Sequence, residues 1–138
     1  MLVREIMRRD VLTASPDMAV TEAARKMADN HVGSLVVTKG GKILGIVTER
    51  NILLSLAEYG HDIEQKTLAD VMTSYVITIN PDSPVSKAVR VMNENSIKKL
   101  PVIEDENLVG MVSVSDIIVA QPALMKELAG CVIRKSRE

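Results

Sequence analysis

Aromatic side chains are almost absent: among 138 residues only Tyr59 and Tyr75 are aromatic, and there is no Phe or Trp. A flat ring bound by this chain must therefore be held between aliphatic side chains, which excludes the aromatic stacking platforms of single-strand binders. Cysteine is as scarce, since Cys131 stands alone and an internal disulfide is excluded. With only His31 and His61 besides, no Cys/His cluster has metal-ligand spacing, and Cys131 reads as a small buried apolar residue. Net charge is lacking too: 17 basic and 18 acidic residues leave a formal charge of −1, which argues against a dominant electrostatic affinity for nucleic acid. The basic stretches Arg8-Arg9 and Arg134-Lys135-Ser136-Arg137 read as solvated ends. No uninterrupted apolar run approaches the roughly 18 residues of a membrane span. The opening residues carry Arg4, Glu5, Arg8, Arg9 and Asp10 where a signal segment would be apolar, so a soluble cytoplasmic protein is expected.

What the chain does contain is a repeat. Residues 3–54 align without a gap on 68–119 at an offset of 65, and 15 of the 52 pairs are identical. They include Met7/Met72, Thr13/Thr78, Pro16/Pro81, Asp17/Asp82, Met27/Met92, Asn30/Asn95, Leu35/Leu100, Gly45/Gly110 and Ile52/Ile117. One such half is near the size at which a core becomes marginal, so the two are expected to close on each other about a pseudo-two-fold axis. A cleft between equivalent halves is then the first place to look for a ligand.

Each copy has the same predicted element order. Val11 to Ala14 is a short strand ended by Ser15-Pro16-Asp17, and Val76 to Ile79 is its equivalent, ended by Asn80-Pro81-Asp82. Val20, Ala23, Ala24 and Met27, matched by Val85, Ala88, Val89 and Met92, predict an amphipathic helix. Ser83-Pro84 suits a helix start, and Asn30 and Asn95 suit the left-handed residue that closes one. A hairpin follows, turning at Lys39-Gly40-Gly41-Lys42 in one copy and Glu104-Asp105-Glu106-Asn107 in the other. Gly41-Lys42 is not a phosphate loop, because Ile43 stands where Ser or Thr is needed. A second helix runs from Asn51 to Glu58 before Gly60, and from Ser115 to about Gln121 before Pro122. Ala123 to Ala129 adds a short helix closed by Gly130, with no counterpart in the first copy. The expected organisation is residues 1–60, a linker at 61–67, residues 68–121, and a terminal helix with a basic tail at 122–138.

Chemistry concentrates where the last strand meets the last helix. Gly45-Ile46-Val47-Thr48-Glu49-Arg50-Asn51 and Gly110-Met111-Val112-Ser113-Val114-Ser115-Asp116 each place a hydroxyl at the strand end and Asn or Asp three residues on. Such a carboxylate can accept two hydrogen bonds from a vicinal diol. The same spacing equally makes a capping box, in which Asp116 only satisfies the helix start. Lys98 and Lys99, opposite Gly33 and Ser34 in the alignment, either face solvent or neutralise a phosphate.

The order of elements, the doubled Gly-x-x-Thr/Ser-x-x-Asp/Asn signature and the phrases HVGSLVV, GIVTERNIL, KKLPVIED and GMVSVSDII resemble a tandem pair of CBS domains. The resemblance spans residues 3–119 and implies an α+β fold of two β-α-β-β-α repeats. It also implies a stand-alone regulatory module that binds AMP, ADP, ATP or S-adenosylmethionine in clefts between the copies, with ribose on the signature Asp. A tighter site then combines Thr13, Val32, Gly33, Ser34, Lys98, Met111, Ser113, Ser115 and Asp116. A weaker one combines Thr78, Ile97, Lys99, Ile46, Thr48, Arg50 and Asn51, where the carboxylate charge is lost and Arg50 replaces a hydroxyl. The resemblance further implies a homodimer and a separate protein target, with no catalytic cofactor or metal. The alternatives are a ligand-free interaction scaffold and an enzyme. The last is disfavoured because no base stands next to a nucleophile and no paired carboxylates form a site.

Overall fold

The structure, a computed structural model, describes residues 1–137, with side-chain surroundings through Cys131. The chain forms two compact units whose boundaries differ from those of the sequence repeats. The first unit is Leu12–Val76; the second joins Met1–Val11 to Ile77–Glu138. Each unit thus holds the body of one copy and the leading segment of the other.

In the first unit, β1 (Thr13–Ala14), α1 (Val20–Asp29), β2 (Ser34–Lys39), β3 (Lys42–Thr48) and α2 (Glu49–Tyr59) are followed by a 3-10 turn (Gly60–Gln65) and α3 (Leu68–Val71). The sheet order is β1-β2-β3, with β1 parallel to β2 and β2 antiparallel to β3. Helix α1 buries Val20, Ala23 and Met27, one face at helical spacing, against Leu35, Val37 and Val47. Leu68 closes this aliphatic core from α3. The linker predicted at 61–67 is therefore largely structured. At its end the Thr67 amide donates to the Asp70 carboxylate at 2.9 Å, and this bond holds the Asp70 carboxyl below its ordinary value.

The second unit repeats the plan with α4 (Val85–Asn95), β4 (Lys99–Glu104), β5 (Asn107–Ser113) and α5 (Val114–Ala120). The strand expected at Val76 to Ile79 is reduced to a single parallel bridge, Ile79 to Val102. The cause is one residue: Val36 in β2 donates its N–H to the Leu12 carbonyl, whereas its equivalent Pro101 has no N–H to offer Ile77.

Three local expectations are corrected. The left-handed residues are His31 (φ 54°) and Ser96 (φ 53°), one position beyond Asn30 and Asn95. Those asparagines instead donate side-chain N–H groups to the carbonyls four residues back, Lys26 and Val91, each at 2.8 Å. Pro84, in extended conformation, is the cap of α4, so Ser83 lies two residues before the helix start at Val85 and is not its cap. Finally, Gly130 does not close a helix. After a 3-10 turn at Pro122–Leu124, α6 runs from Met125 to Arg137, and burial of Leu128 and Cys131 holds it across the glycine. Cys131 is fully buried and its thiol points to the Met92 and Ile97 carbonyls at 3.5 and 3.2 Å. The side chains of the basic run Arg134 to Arg137 lie outside the described residues.

The two hairpin turns solve one problem with different residues. Gly40 and Gly41 sit at φ 61° and 82°, where glycine carries no Cβ penalty. Asp105 and Glu106 occupy the same turn at φ 50° and 70°. Replacing them together with Asn-Gly is expected to stabilise the protein by about 1 kcal/mol, measured by urea denaturation.

Candidate functional site

At each signature the structure forms the capping box. In the second unit the Ser113 amide donates to Asp116 Oδ2 at 3.0 Å, and the Asp116 amide donates to Ser113 Oγ at 3.1 Å. In the first, the Thr48 amide donates to Asn51 Oδ1 at 2.9 Å, and the Asn51 amide donates to Thr48 Oγ1 at 3.2 Å. The capping role of the signature is thus realised in both copies. It occupies one oxygen of Asp116 and leaves the other for a different partner.

That partner is Arg8. Its Nε donates to Asp116 Oδ1 at 3.1 Å; the Asp116 side chain is 10% exposed and that of Arg8 73% exposed. Reading Arg8 as a merely solvated end is thereby corrected. Its backbone exchanges two hydrogen bonds with Met111, both 2.9 Å, which lays the leading segment along β5. This approach requires glycine beside it, since a Cβ on Gly110 would stand 2.7 Å from Met7 Sδ and 2.8 Å from the Arg8 carbonyl oxygen.

The first unit has the same device built from the other leading segment. Ile46 and Thr73 exchange backbone hydrogen bonds of 2.9 Å, and a Cβ on Gly45 would meet Met72 Sδ at 2.7 Å and the Thr73 oxygen at 2.8 Å. Here Asn51 Nδ2 donates to Thr73 Oγ1 at 3.2 Å. Thr73 is the repeat equivalent of Arg8, so the copy with a carboxylate faces a cation and the copy with an amide faces a hydroxyl. Arg8 is the site residue that sequence reasoning missed. The sequence carried no signal for it, because the repeat offset aligns Arg8 with the uncharged Thr73.

A cavity of about 340 Å³ in the second unit has Arg8, Ser115 and Asp116 on its polar side, with Glu5, and Ile6, Val119 and Ala120 on its apolar side. Of the residues expected for the tighter site, Ser115 and Asp116 line it. Ser113 caps α5 behind them, Met111 pairs with Arg8, and Lys98 accepts the Val114 amide through its carbonyl. Lys99 opens β4 opposite Ser113 and is exposed; Ile97 packs on the core, and Thr78 is half-buried.

In the first unit a larger open groove, about 520 Å³, lies along α1 and α2. It takes in Val32 and Gly33 but neither Thr48, Arg50 nor Asn51; Ala24, Met27, Ile52, Leu53 and Leu56 are among its apolar walls, and His31 and Glu49 are its polar ones. Ser34 stands opposite Thr48 in the β2–β3 register, Thr13 opposite Val36, and Arg50 is exposed on α2. Neither tyrosine lines either cavity: Tyr59 stacks under the Lys66 ammonium at 4.5 Å and Tyr75 is exposed. Among the described residues no group of three potential metal ligands converges, and no helix is long and apolar enough to cross a membrane.

Comparison with known proteins recovers the same doubling. The family model described as CBS domain matches residues 3–58 and again 68–123. A Methanopyrus kandleri protein, MK0525, is 35% identical over 125 residues, covering 89% of this chain, which spans 64% of that protein's length. The CBS domain-containing protein YhcV of Bacillus subtilis is 32% identical over 131 residues, covering 95% of this chain and 91% of YhcV. Among solved structures, the CBS domain pair of protein MJ0100 in complex with 5-methylthioadenosine and S-adenosyl-L-methionine superposes with a TM-score of 0.77 at 30% identity. It covers 89% of this chain and 97% of that one.

Proposed function

Because this chain belongs to the CBS-domain family and carries two copies of the domain, we propose that it is a regulatory module whose Asp116 cavity binds an adenosine-containing ligand. The observation that carries this reading is the state of Asp116. Its carboxylate is nearly buried at a cavity wall, tied by one oxygen to its own helix and by the other to an exposed side chain that can leave. A carboxylate so placed accepts two hydrogen bonds from the hydroxyls of a ribose, each charge-assisted. Ile6, Val119 and Ala120 offer the aliphatic contacts that a chain almost without aromatics must use for a base. The adenosine ligands bound by the MJ0100 pair support the ligand class.

In this reading Ser113, Ser115, Lys98 and Met111 assist Asp116. Asn51 with Thr48, Arg50 and Ile46 forms a weaker site, since an amide offers no charge. The module signals to a separate cytoplasmic protein target and catalyses nothing itself. Ligand binding has this effect only if two states of the module differ in affinity for it.

The groove along α1 and α2 is the surface we assign to a second copy in a homodimer. Leu53 is 68% exposed and Leu56 54% exposed on its wall, two large apolar side chains three residues apart on one helix. Leu53→Glu is expected to convert a dimer to a monomer in light scattering, and an unchanged mass would remove this face from the assembly.

Titration calorimetry of nucleotide-stripped protein with AMP, ADP, ATP, 5-methylthioadenosine and S-adenosylmethionine tests the ligand reading. Saturable heat with at least one of them is expected. Silence with all five would favour the second reading, a ligand-free scaffold, which the internally satisfied capping boxes and the apolar groove also accommodate.

A further inference from the structure

The Arg8–Asp116 pair holds more information than a surface ion pair ordinarily does. It joins a nearly buried carboxylate to a mostly exposed guanidinium through Nε alone. The guanidinium end is exposed and is held by a single hydrogen bond, so a ligand that offers Asp116 two hydrogen bonds can take its place. The Arg8 backbone, however, stays pinned to Met111 by two 2.9 Å hydrogen bonds, so a displaced side chain remains at the cavity rim. Arg8 is also the only cation among the cavity's described lining residues; the remaining charged groups there are Glu5 and Asp116. Glu5 is occupied, its Oε2 accepting the Leu2 amide at 2.6 Å. The repeat supplies an internal control: where the signature residue is the uncharged Asn51, the equivalent of Arg8 is the uncharged Thr73.

We propose that Arg8 is the specificity-determining residue of the Asp116 cavity, selecting adenosine ligands that carry a phosphate. Without ligand, the guanidinium neutralises the carboxylate. Once a ribose takes Asp116, the guanidinium loses its counter-charge, and an anionic group on the ligand restores it. A nucleotide phosphate does so. A thioether or a sulfonium at the same position does not, and the sulfonium adds a like charge. The inference rests on the adenosine reading above and goes beyond it by naming the ligand's charge and the residue that reads it.

The test compares AMP with 5-methylthioadenosine, which share the nucleoside and differ in the phosphate, on wild type, Arg8→Thr, Arg8→Lys and Asp116→Asn. Arg8→Thr copies the residue that the other repeat carries with the same backbone pairing, so it is expected to fold, and its melting temperature checks this. The wild type should prefer AMP. Arg8→Thr should lose about tenfold in AMP affinity, the lower end for a charge-assisted contact. It should bind 5-methylthioadenosine as well as the wild type or a few-fold better. Arg8→Lys should keep most of the AMP preference. Raising ionic strength should weaken AMP binding to wild type and leave 5-methylthioadenosine binding unchanged or slightly improved. A purely structural Arg8 would lower both affinities together and show no such salt signature. If the AMP to 5-methylthioadenosine ratio is the same in wild type and Arg8→Thr while Asp116→Asn weakens both, the role of Arg8 is wrong and the adenosine reading stands. If neither ligand binds the wild type, both fall. Should Arg8→Thr fail to fold, the opposite salt responses of the two ligands on wild type decide the matter alone, and equal responses overturn the proposal.

Discussion

Asp116→Asn is expected to weaken adenosine-ligand binding by about tenfold or more while leaving the fold intact. The first repeat already shows that asparagine can fill the cap: Asn51 Oδ1 accepts the Thr48 amide at 2.9 Å, as Asp116 Oδ2 accepts the Ser113 amide at 3.0 Å. The substitution therefore keeps the hydrogen bond to the helix start and removes only the charge that a ribose diol and Arg8 both use. Asp116→Ala removes the cap as well and is expected to cost about 1 kcal/mol of stability in addition to the loss of binding. Measuring both variants by calorimetry and thermal melting separates the two roles of one side chain. Undiminished affinity in Asp116→Asn would mean that the carboxylate serves the helix alone.

Gly110→Ala should be among the most damaging single-atom additions to the chain. Its Cβ would stand 2.8 Å from the Arg8 carbonyl oxygen, a backbone atom, so yielding by a flexible Met7 is not enough. The leading segment must move away from β5, at the expense of the two hydrogen bonds between Arg8 and Met111. A loss of about 1–3 kcal/mol in urea denaturation is expected. Because Arg8 moves with its backbone, discrimination between AMP and 5-methylthioadenosine should fall too. Gly45→Ala makes the parallel clash with Thr73 and should cost a similar amount of stability without touching Arg8. A Gly110→Ala variant as stable as wild type would refute the tight approach of the leading segment.

The α+β fold and its doubling were legible because they rest on patterns carried by side chains. Val20, Ala23 and Met27 mark a helix face, and Gly40-Gly41 marks a turn. The exchange of leading segments between units was not legible, because Arg8 with Met111 and Ile46 with Thr73 pair through backbone atoms. Gly110 and Gly45 mark that pairing in the sequence by the space they leave for the leading segments. Pro101 erased a strand because it has no N–H to offer Ile77, an effect invisible in the apolar run Val76 to Ile79. Gly130 misled in the opposite direction, since the buried Leu128 and Cys131 outweigh one glycine's helix penalty of about 1 kcal/mol. At the site, the hydroxyl and acid of the signature were readable by spacing. Arg8 was not, because a charged pair near a chain end looks solvated until its partner in space is known.

The most direct measurement is a crystal structure of the protein with AMP at saturating concentration. The account predicts both ribose hydroxyls within hydrogen-bonding distance of the Asp116 carboxylate, and the Arg8 guanidinium moved from that carboxylate to the phosphate. AMP absent from the cavity, or bound with its ribose elsewhere while Arg8 remains on Asp116, would contradict it.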